Sequence, residues 1–426
     1  MPSGPSLRLG RLAQRYFNFK KMLKRLTVFY GDSFRGLSKE VWWLALVSFI
    51  NRSGTMILPF LSKYLKEDLG FSYGEVGWIM VFFGVGSMIG SWLGGKLTDK
   101  IGFYKVMIWS LLITGFLFIG LQYVTTFWAF CFSMLFIMII ADMFRPAIFV
   151  SLNTYSKIEN RTRSLTLIRL AINLGFVVGP TVAGIIIISS GYDLLFWIDG
   201  LTCILAILFF RLLIKEKKST ATEPNEESKL ERQSTSVFKD KPYWIFLSIS
   251  FLMGMIFFQL FTTMPLYHRE QYNLTELHTG LLFFLNGLMI VVLEMPMVYW
   301  IEQKIVDVTK LILISSVLMA LSFFVLLFDT WAGVLVIGMI LITIGEMIGF
   351  PYTNAFAMKR AKIGNEGRYM ALYTMSFSLA HIVGPKLGLD IIAKYGYNVN
   401  FVMVGIFGLL AVVLSIWLRN AVEKEE

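Results

Sequence analysis

Apolar stretches long enough to cross a lipid bilayer recur along nearly the whole chain. A transmembrane helix needs about 20 consecutive, mainly apolar residues. Of the 426 residues, 56% are hydrophobic, and a soluble protein of this size could not bury so much apolar surface. The pattern therefore predicts an all-α integral membrane protein with twelve transmembrane helices. The predicted spans are residues 41–65, 74–95, 104–124, 127–151, 164–189, 194–214, 242–266, 279–300, 308–328, 331–354, 367–391 and 399–418.

Positive charge is distributed unevenly between the loops. Lysine and arginine are concentrated before the first span and in alternate loops after it, whereas the intervening loops carry few. Cytoplasmic loops are enriched in these residues, so we expect both termini to be cytoplasmic. We expect a monomer in the cytoplasmic membrane of a bacterium. The net charge of +11 then reflects membrane topology, and no nucleic-acid partner is expected.

One polar segment divides the spans into two groups of six. Residues 215–241 are rich in charged residues, serine and threonine, which is typical of a flexible linker. The predicted organisation is a basic cytoplasmic segment at 1–40, helix bundles at 41–214 and 242–418, and a cytoplasmic tail at 419–426. The basic segment could lie on the anionic membrane surface or stay solvated.

The two groups of spans resemble each other in sequence. Glycine, proline and arginine positions match at a constant spacing, which is harder to obtain by chance than matches of leucine. A parallel repeat of two six-helix halves is the architecture of one large class of secondary transporters, whose substrate path lies between the halves. The matches include Arg163 with Arg368, Val178-Gly179-Pro180 with Val383-Gly384-Pro385, Gly77 with Gly280, and Gly84 with Gly287.

The loop after the second span combines glycines and charges at fixed spacings. It reads GGKLTDKIGFYK and contains Gly95, Asp99, Lys100, Gly102 and Lys105. It is similar to the signature G-x-L-x-D-[RK]-x-G-x-x-[RK] of the major facilitator superfamily. This resemblance implies two pseudo-symmetric six-helix bundles of the major facilitator fold, with the first, fourth, seventh and tenth helices lining a central cavity. Asp99 and the nearby cations would latch the halves together on the cytoplasmic side.

A second element lies in the fifth span. The stretch GFVVGPTVAG contains Gly175, Gly179, Pro180 and Gly184. Small residues four apart permit close helix contact, and proline bends a helix. The stretch resembles the G-x-x-x-G-P-x-x-G-G element of proton-driven exporters in this superfamily, with Ala183 in place of one glycine. The alternative is general helix packing, which a similar stretch in the second half, VGPKLG, also fits.

Ionisable residues inside apolar spans are candidates for function, because a charge at the bilayer centre costs at least about 2.5–3.5 kcal/mol. Arg52 lies in the middle of the first span and needs water or an acidic partner. The candidate proton-coupling residues, each also a possible counter-charge, are Glu346, Glu294 and Asp142. Asp142 could instead form a local ion pair with Arg145. The candidate residues of the substrate cavity are Asn51, Arg52, Arg145, Arg169, Asn173, Gln259, Asn286, Tyr352, Asn354 and His381.

Other functional classes lack support in the sequence. It contains no G-x-x-x-x-G-K-[ST] signature and no clustered catalytic residues, so we expect neither an ATP-driven pump nor an enzyme. The two cysteines, Cys131 and Cys203, both lie within predicted spans, so no disulfide framework, metal site or cofactor is expected. An ion gradient remains as the energy source. Buried carboxylates suit protons, and sodium would use similar ligands.

Two kinds of cargo are compatible with these features. The favoured hypothesis is a drug or metabolite exporter that exchanges small organic solutes for protons, since phenylalanine and methionine suit varied apolar cargo. The alternative is a proton-coupled symporter for peptides or similar zwitterions. That family has an arginine in its first helix and a glutamate in its tenth, at places comparable to Arg52 and Glu346. In that family two acidic residues precede the arginine, whereas this chain has Ile50-Asn51 at the corresponding place.

Overall fold

The computed structural model consists of long helices joined by short turns. It describes residues 36–157, 160–217, 237–302, 304, 306–329, 331–360 and 366–425. Twelve helices follow one another in these ranges, so the predicted all-α fold is confirmed. They are α1 (Lys39–Ser53 and Leu61–Glu67), α2 (Tyr73–Ile101), α3 (Phe103–Leu121), α4 (Phe127–Ala141 and Phe144–Tyr155), α5 (Arg161–Ser190), α6 (Asp193–Leu213), α7 (Lys241–Thr262 and Met264–Tyr272), α8 (Glu276–Glu302), α9 (Val308–Phe324), α10 (Gly333–Arg360), α11 (Glu366–Tyr395) and α12 (Tyr397–Glu423).

Three helices are interrupted, and a proline lies within or just after each interruption. In α1 the two parts are joined by a 3₁₀ turn at Leu58–Phe60, which contains Pro59. Pro146 and Pro265 lie near the start of the second parts of α4 and α7. Because proline has no N–H to donate to the preceding turn, each of these residues favours a break.

The surface of the molecule is that of a membrane protein. Eleven helices in the described residues are long and apolar enough to span a membrane. The remaining one, α11, has 30 residues and is more polar, since it carries His381 and Lys386. All eleven tryptophans of the chain are at least 36% exposed, as expected where these side chains face lipid and headgroups. The protein is an integral membrane protein.

The internal repeat has a structural counterpart where the two halves meet. A Cβ added to Gly84 of α2 would lie 2.8 Å from Ile382 of α11. Its sequence counterpart Gly287, on α8, would place a Cβ 2.4 Å from Val177 of α5. Matched glycines therefore allow two equivalent helix pairs, α2 with α11 and α8 with α5, to pack closely. The other matched glycines, Gly77 of α2 and Gly280 of α8, pack in the same way, against Lys386 of α11 and Pro180 of α5.

The two ends of the helix bundle differ in how the halves meet. We call the end where α1 begins, α6 ends, α7 begins and α12 ends the linker face, and the opposite end the far face. Towards the far face, Leu266 and Leu389 of the second half join an apolar cluster of the first half that includes Phe60 and Ile79. Towards the linker face, the first half has an apolar cluster of its own, around Val41. The halves are thus joined at the far face.

Some segments differ from the sequence prediction. Most of the predicted segments 1–40 and 215–241 lies outside the described residues. The first span, predicted as continuous over 41–65, contains the break in α1. The predicted tail at 419–426 is largely helical, because α12 continues to Glu423 and is stabilised there by an ion pair between residues four apart.

Candidate functional site

The first half contains a cavity of about 300 Å³ beside the break in α1. It is bounded by α1, α3, α4, α5 and α6, and apolar side chains form most of its wall. Small-molecule sites are commonly of this kind, with a few polar groups among apolar ones. The polar residues of the wall include Ser48, Asn51, Arg52, Thr55, Thr114, Asp142, Arg145, Asp199 and Cys203, and the aromatic residues are Phe118, Phe144, Phe149 and Phe176.

Asp199 of α6 stabilises the break in α1. Its carboxylate accepts hydrogen bonds from the backbone N–H groups of Met56, at 2.7 Å, and Ile57, at 3.0 Å. These groups have lost partners within a continuous helix, and an unsatisfied N–H is costly away from water. One turn further along α6, Thr202 packs against Gly54, where an added Cβ would lie 1.8 Å from the threonine hydroxyl. Helix α6 therefore holds both sides of the break.

Sequence analysis missed Asp199, although the signal that identified the other candidates applies to it. It is an acidic residue within the apolar stretch of the sixth span and is only 1% exposed. Thr114 and Cys203, which line the same cavity, carry no comparable signal. Their position in the wall is a result of tertiary packing alone.

Arg52 lies directly before the break and lines the cavity. Its guanidinium carbon is 5.4 Å from the ring centre of Phe176 on α5, which is the range of a cation–π contact. Arg52 takes part in none of the ion pairs of the described residues. Of the three expected counter-charges, Asp142 lines the same cavity and acts on Arg52 electrostatically. It lies beyond ion-pairing distance of Arg52 and is beside Arg145 instead.

Three other predicted site residues lie in the same cavity wall. The amide nitrogen of Asn51 is 3.6 Å from the sulfur of Cys203. Asp142 accepts a hydrogen bond from Ser87 of α2 and lies 3.6 Å from a guanidinium nitrogen of Arg145. Asp142 and Arg145 therefore form the local ion pair that was the alternative to proton coupling.

A second ion pair joins the two halves directly. A guanidinium nitrogen of Arg169, on α5, lies 3.0 Å from Glu294 Oε1, on α8. Both residues are about two turns from the linker-face ends of their helices. This pair links one predicted cavity residue and one predicted proton-coupling residue across the boundary between the halves.

Glu346 has a neutral environment. Asn286 of α8 donates hydrogen bonds to Glu346 Oε2, at 3.1 Å, and to the hydroxyl of Thr343, at 2.9 Å. Both acceptors are on α10. No cation lies within ion-pairing distance of Glu346 among the described residues. The predicted residues Asn286 and Glu346 thus form one polar cluster within the second half, outside the wall of the first-half cavity.

His381 lies between aromatic rings of the two halves. Its ring centre is 4.2 Å from that of Phe258 on α7, with the rings nearly parallel, and 4.8 Å from that of Phe83 on α2. The histidine therefore helps to close the interface around α11.

Four predicted cavity residues have other positions. Gln259 is buried, donates to the carbonyl of Gly384 at 2.8 Å and accepts from Thr263 at 2.9 Å, so it connects α7 to α11. Tyr352 is buried in an apolar cluster of the second half. Asn173 is half-buried and Asn354 is exposed, and neither lines the cavity. The sequence could not predict which face of each helix points inward.

The predicted gate motif lies at the linker-face end of α2 and the start of α3. Gly102 ends α2 with φ of +88°, a conformation that glycine adopts readily. Nothing lies within 4 Å of a Cβ added to Gly95, and Lys100 and Lys105 are exposed. The side chain of Asp99 is outside the described residues. The latching role of this motif stays a prediction.

The predicted packing element of α5 contacts both α1 and α8. A Cβ added to Gly175 would lie 2.6 Å from the Cβ of Arg52, and Gly179 likewise approaches the main chain of α1. A Cβ added to Gly184 would lie 2.7 Å from the carbonyl oxygen of Glu276 on α8. This element therefore connects the cavity in the first half to the second half.

Polar contacts across the far face were not predicted. Lys63 of α1 is only 2% exposed and lies 2.6 Å from Glu276 of α8. Ser62 donates to the carbonyl oxygen of Thr262 on α7 at 2.8 Å. A further pair, 3.5 Å apart, joins Arg269 of α7 to α1. These contacts close the far face between the two halves.

A sequence profile of the Major Facilitator Superfamily matches residues 42–385 and 279–426. The chain belongs to the Major Facilitator Superfamily. As a member it is a membrane transporter for small molecules, and not an enzyme. The match covers most of the chain, including both halves and the cavity.

Relatives of this superfamily member include an antiporter and two resistance proteins. It is 20% identical to a Na(+), Li(+), K(+)/H(+) antiporter of Planococcus maritimus, over 88% of this chain and 94% of the relative. It is 23% identical to multidrug resistance protein 2 of Bacillus subtilis (84% and 90% covered). It is also 23% identical to the class H tetracycline resistance protein of Pasteurella multocida (86% and 91% covered).

Solved structures share the fold of this superfamily member. A POT family transporter in complex with a thioalcohol-conjugated peptide superposes with a TM-score of 0.77 at 16% identity, over 92% of this chain and 97% of that one. A nucleoside transporter superposes with a TM-score of 0.70 at 17% identity, over 90% and 99%. At these identities the similarity is one of fold.

Proposed function

We propose that the protein is a proton-coupled exporter that exchanges a small organic solute for protons by alternating access. The uneven distribution of lysine and arginine supports a cytoplasmic linker face. The structure, which is closed at the far face, would then be a state closed to the outside. A bacterial cytoplasmic membrane and a monomer fit this proposal.

The environment of Glu346 is the observation that carries proton coupling. A carboxylate inside a membrane helix is costly when ionised unless a cation accompanies it. Among the described residues, the neutral Asn286 is the one side chain that donates a hydrogen bond to Glu346. A proton would remove the charge, so this residue can bind and release a proton as its surroundings change.

The ion pair between Arg169 and Glu294 would link proton binding at Glu346 to the relative position of the two halves. Glu294 and the partner of Glu346, Asn286, are both on α8, two turns apart. Rearrangement of α8 relative to α5 would break the ion pair and change the surroundings of Glu346. Proton binding would then favour one arrangement through its differential affinity for the two states.

Export is favoured over peptide uptake by the position of the two candidate clamp residues. Arg52 lines the cavity of the first half, whereas Glu346 lies in a separate cluster of the second half. Among the described residues, the two therefore do not line the first-half cavity together, as the clamping of both ends of a zwitterion in it would require. The names of the antiporter and of the two resistance proteins among the relatives agree with export.

The proposal is tested with purified protein in liposomes that contain a pH-sensitive dye. Aromatic anions, lipophilic cations, neutral aromatic compounds and dipeptides are added outside in turn. We expect one of the first three classes to make the interior more alkaline, because solute enters as protons leave. Acidification with dipeptides would instead support the symporter. The Glu346→Gln variant should lose the proton signal, and Glu423→Gln, at the end of α12, should retain it.

A further inference from the structure

We propose that the cavity of the first half binds an organic anion with an apolar, aromatic body, and that Arg52 binds its anionic group. This inference names the substrate class of the proposed transporter and therefore rests on the proposed function. It follows from the charges of the cavity, from one unpartnered hydroxyl group and from the composition of the wall.

Two carboxylates in the cavity wall already have partners. Asp142 lies beside Arg145 and accepts from Ser87. Asp199 accepts two backbone hydrogen bonds, one to each oxygen. The oxygens of both carboxylates are thus already engaged by protein groups, so a positively charged solute would have to compete with these groups for them.

Arg52 is the cation of the wall that takes part in no ion pair among the described residues, whereas Arg145 has Asp142 beside it. The guanidinium group of Arg52 lies against the ring of Phe176. The charge of Asp142 acts on it from beyond ion-pairing distance and is opposed by the charge of Arg145. An uncompensated charge in an apolar environment is costly, and a guanidinium group pairs well with a carboxylate through two parallel hydrogen bonds. A bound anion would therefore stabilise Arg52, and Arg52 would stabilise the anion.

Thr114 of α3 is a second polar residue of the same cavity wall. Its hydroxyl oxygen is buried and has no hydrogen-bond partner among the described residues, and the residue itself is 2% exposed. Buried hydroxyl groups are nearly always hydrogen-bonded. A ligand oxygen in the cavity would satisfy this group.

The remaining wall and the volume set the character of the ligand body. Phe118, Phe144 and Phe149 join Phe176 around the cavity. Aromatic rings favour stacked or edge-to-face contacts with another ring. A volume of about 300 Å³ fits one or two fused rings with an acidic group. The expected class is therefore the aromatic carboxylates.

Cys203 provides a reporter inside the same cavity. The chain contains two cysteines, so a Cys131→Ala background leaves Cys203 as the single thiol. Its rate of modification by methyl methanethiosulfonate is measured by mass spectrometry in detergent-purified protein. The probes are 2-naphthoate, the uncharged 2-naphthamide and the cationic 2-naphthyltrimethylammonium. We expect 2-naphthoate to slow the reaction at least fivefold and the other two to change it less than twofold.

Substitution of Arg52 separates the proposal from simple filling of the cavity. In the Arg52→Gln variant, protection by 2-naphthoate should fall to the level given by 2-naphthamide. The Arg211→Gln variant, changed at the exposed end of α6 outside the cavity wall, should keep the full protection. Thr114→Val should weaken the apparent affinity for 2-naphthoate about three- to tenfold. The rise in melting temperature caused by each probe gives the same comparison without the thiol.

Two results would overturn the inference. One is equal protection and equal thermal stabilisation by the anionic and uncharged probes. The other is protection by 2-naphthoate that survives Arg52→Gln. Because binding is measured without a proton gradient, selective protection with no proton movement in liposomes would refute the proposed exchange and leave the anion site standing.

Discussion

The amine nitrogen of Lys63 lies 2.6 Å from Glu276 Oε1 and joins the two halves at the far face. Lys63 is only 2% exposed and Glu276 is 13% exposed. Glu276 also approaches the hydroxyl group of Tyr192, at 3.4 Å. Because a buried charge requires its partner, this contact should hold the far face closed.

Lys63→Met should shift the protein towards a state that is open at the far face. The variant leaves Glu276 shielded without its cation, a change that typically costs about 3–5 kcal/mol. The measurement is the labelling rate of Leu389→Cys, a buried position between the halves, by a membrane-impermeant thiol reagent in a cysteine-free background. We expect faster labelling in Lys63→Met, and the rate of wild type in Lys394→Met, where the lysine is exposed.

Asp199→Asn should loosen the break in α1. An asparagine can accept at one oxygen only, so at least one backbone N–H, of Met56 or Ile57, loses its partner, at a cost of about 1–3 kcal/mol. We expect a lower melting temperature and faster modification of Cys203, which lies one turn away on α6. The control is Asp193→Asn at the exposed start of the same helix. Unchanged values in both assays would contradict the role given to Asp199.

Gly184→Ala should disturb the contact between α5 and α8. The new Cβ would lie 2.7 Å from the carbonyl oxygen of Glu276, and crowding of this kind typically costs about 1–3 kcal/mol. Gly120→Ala, in α3, is the matched control because nothing lies within 4 Å of its added Cβ. The melting temperature should fall for Gly184→Ala and should not fall for Gly120→Ala. An equal effect of the two changes would argue against close packing there.

Asp240 should make the second half sensitive to acid. It receives two hydrogen bonds from Arg360, at 2.8 and 2.9 Å, and one from Tyr369, at 2.9 Å, and so ties α7 to α10 and α11. Burial alone would raise the pKa of Asp240, but these hydrogen bonds and the charge of Arg360 outweigh it and lower the pKa.

The stabilisation by Asp240 is therefore complete above its unfolded-state pKa of about 3.9 and is lost as the pH falls through the lower pKa of the folded state. Asp240→Asn should lower the melting temperature at pH 7. The difference from wild type should shrink below about pH 4. A difference that is constant from pH 7 to pH 3 would show that ionisation of Asp240 does not contribute.

Much of the fold could be predicted from the sequence because bilayer length and apolar composition leave few alternatives. The matched glycines at 84 and 287 were evidence only for the repeat, and the structure places them on helix faces that contact the other half. The broken first helix was not predicted. Pro59 was visible as a signal, but the break depends on Asp199, which lies more than 140 positions away in sequence.

The candidate site was predicted only in part. Arg52, Asn51, Asp142 and Arg145 do share one cavity, since polar residues in apolar spans tend to avoid lipid. Gln259 is also a polar residue that avoids lipid, but it does so by hydrogen bonding between α7 and α11. Only three-dimensional packing distinguishes a polar group that lines a cavity from one that connects two helices.

The most direct test of proton-driven alternating access measures distances at both faces in the same protein. Spin labels at Tyr123 and Phe328 report on the far face, and labels at Leu212 and Met358 report on the linker face, all at exposed positions. Pulsed electron paramagnetic resonance in lipid is compared at pH 8 and pH 5. We expect one distance to lengthen while the other shortens, and no response to pH in Glu346→Gln. The same response in that variant, or distances that change together, would contradict proton-driven alternating access.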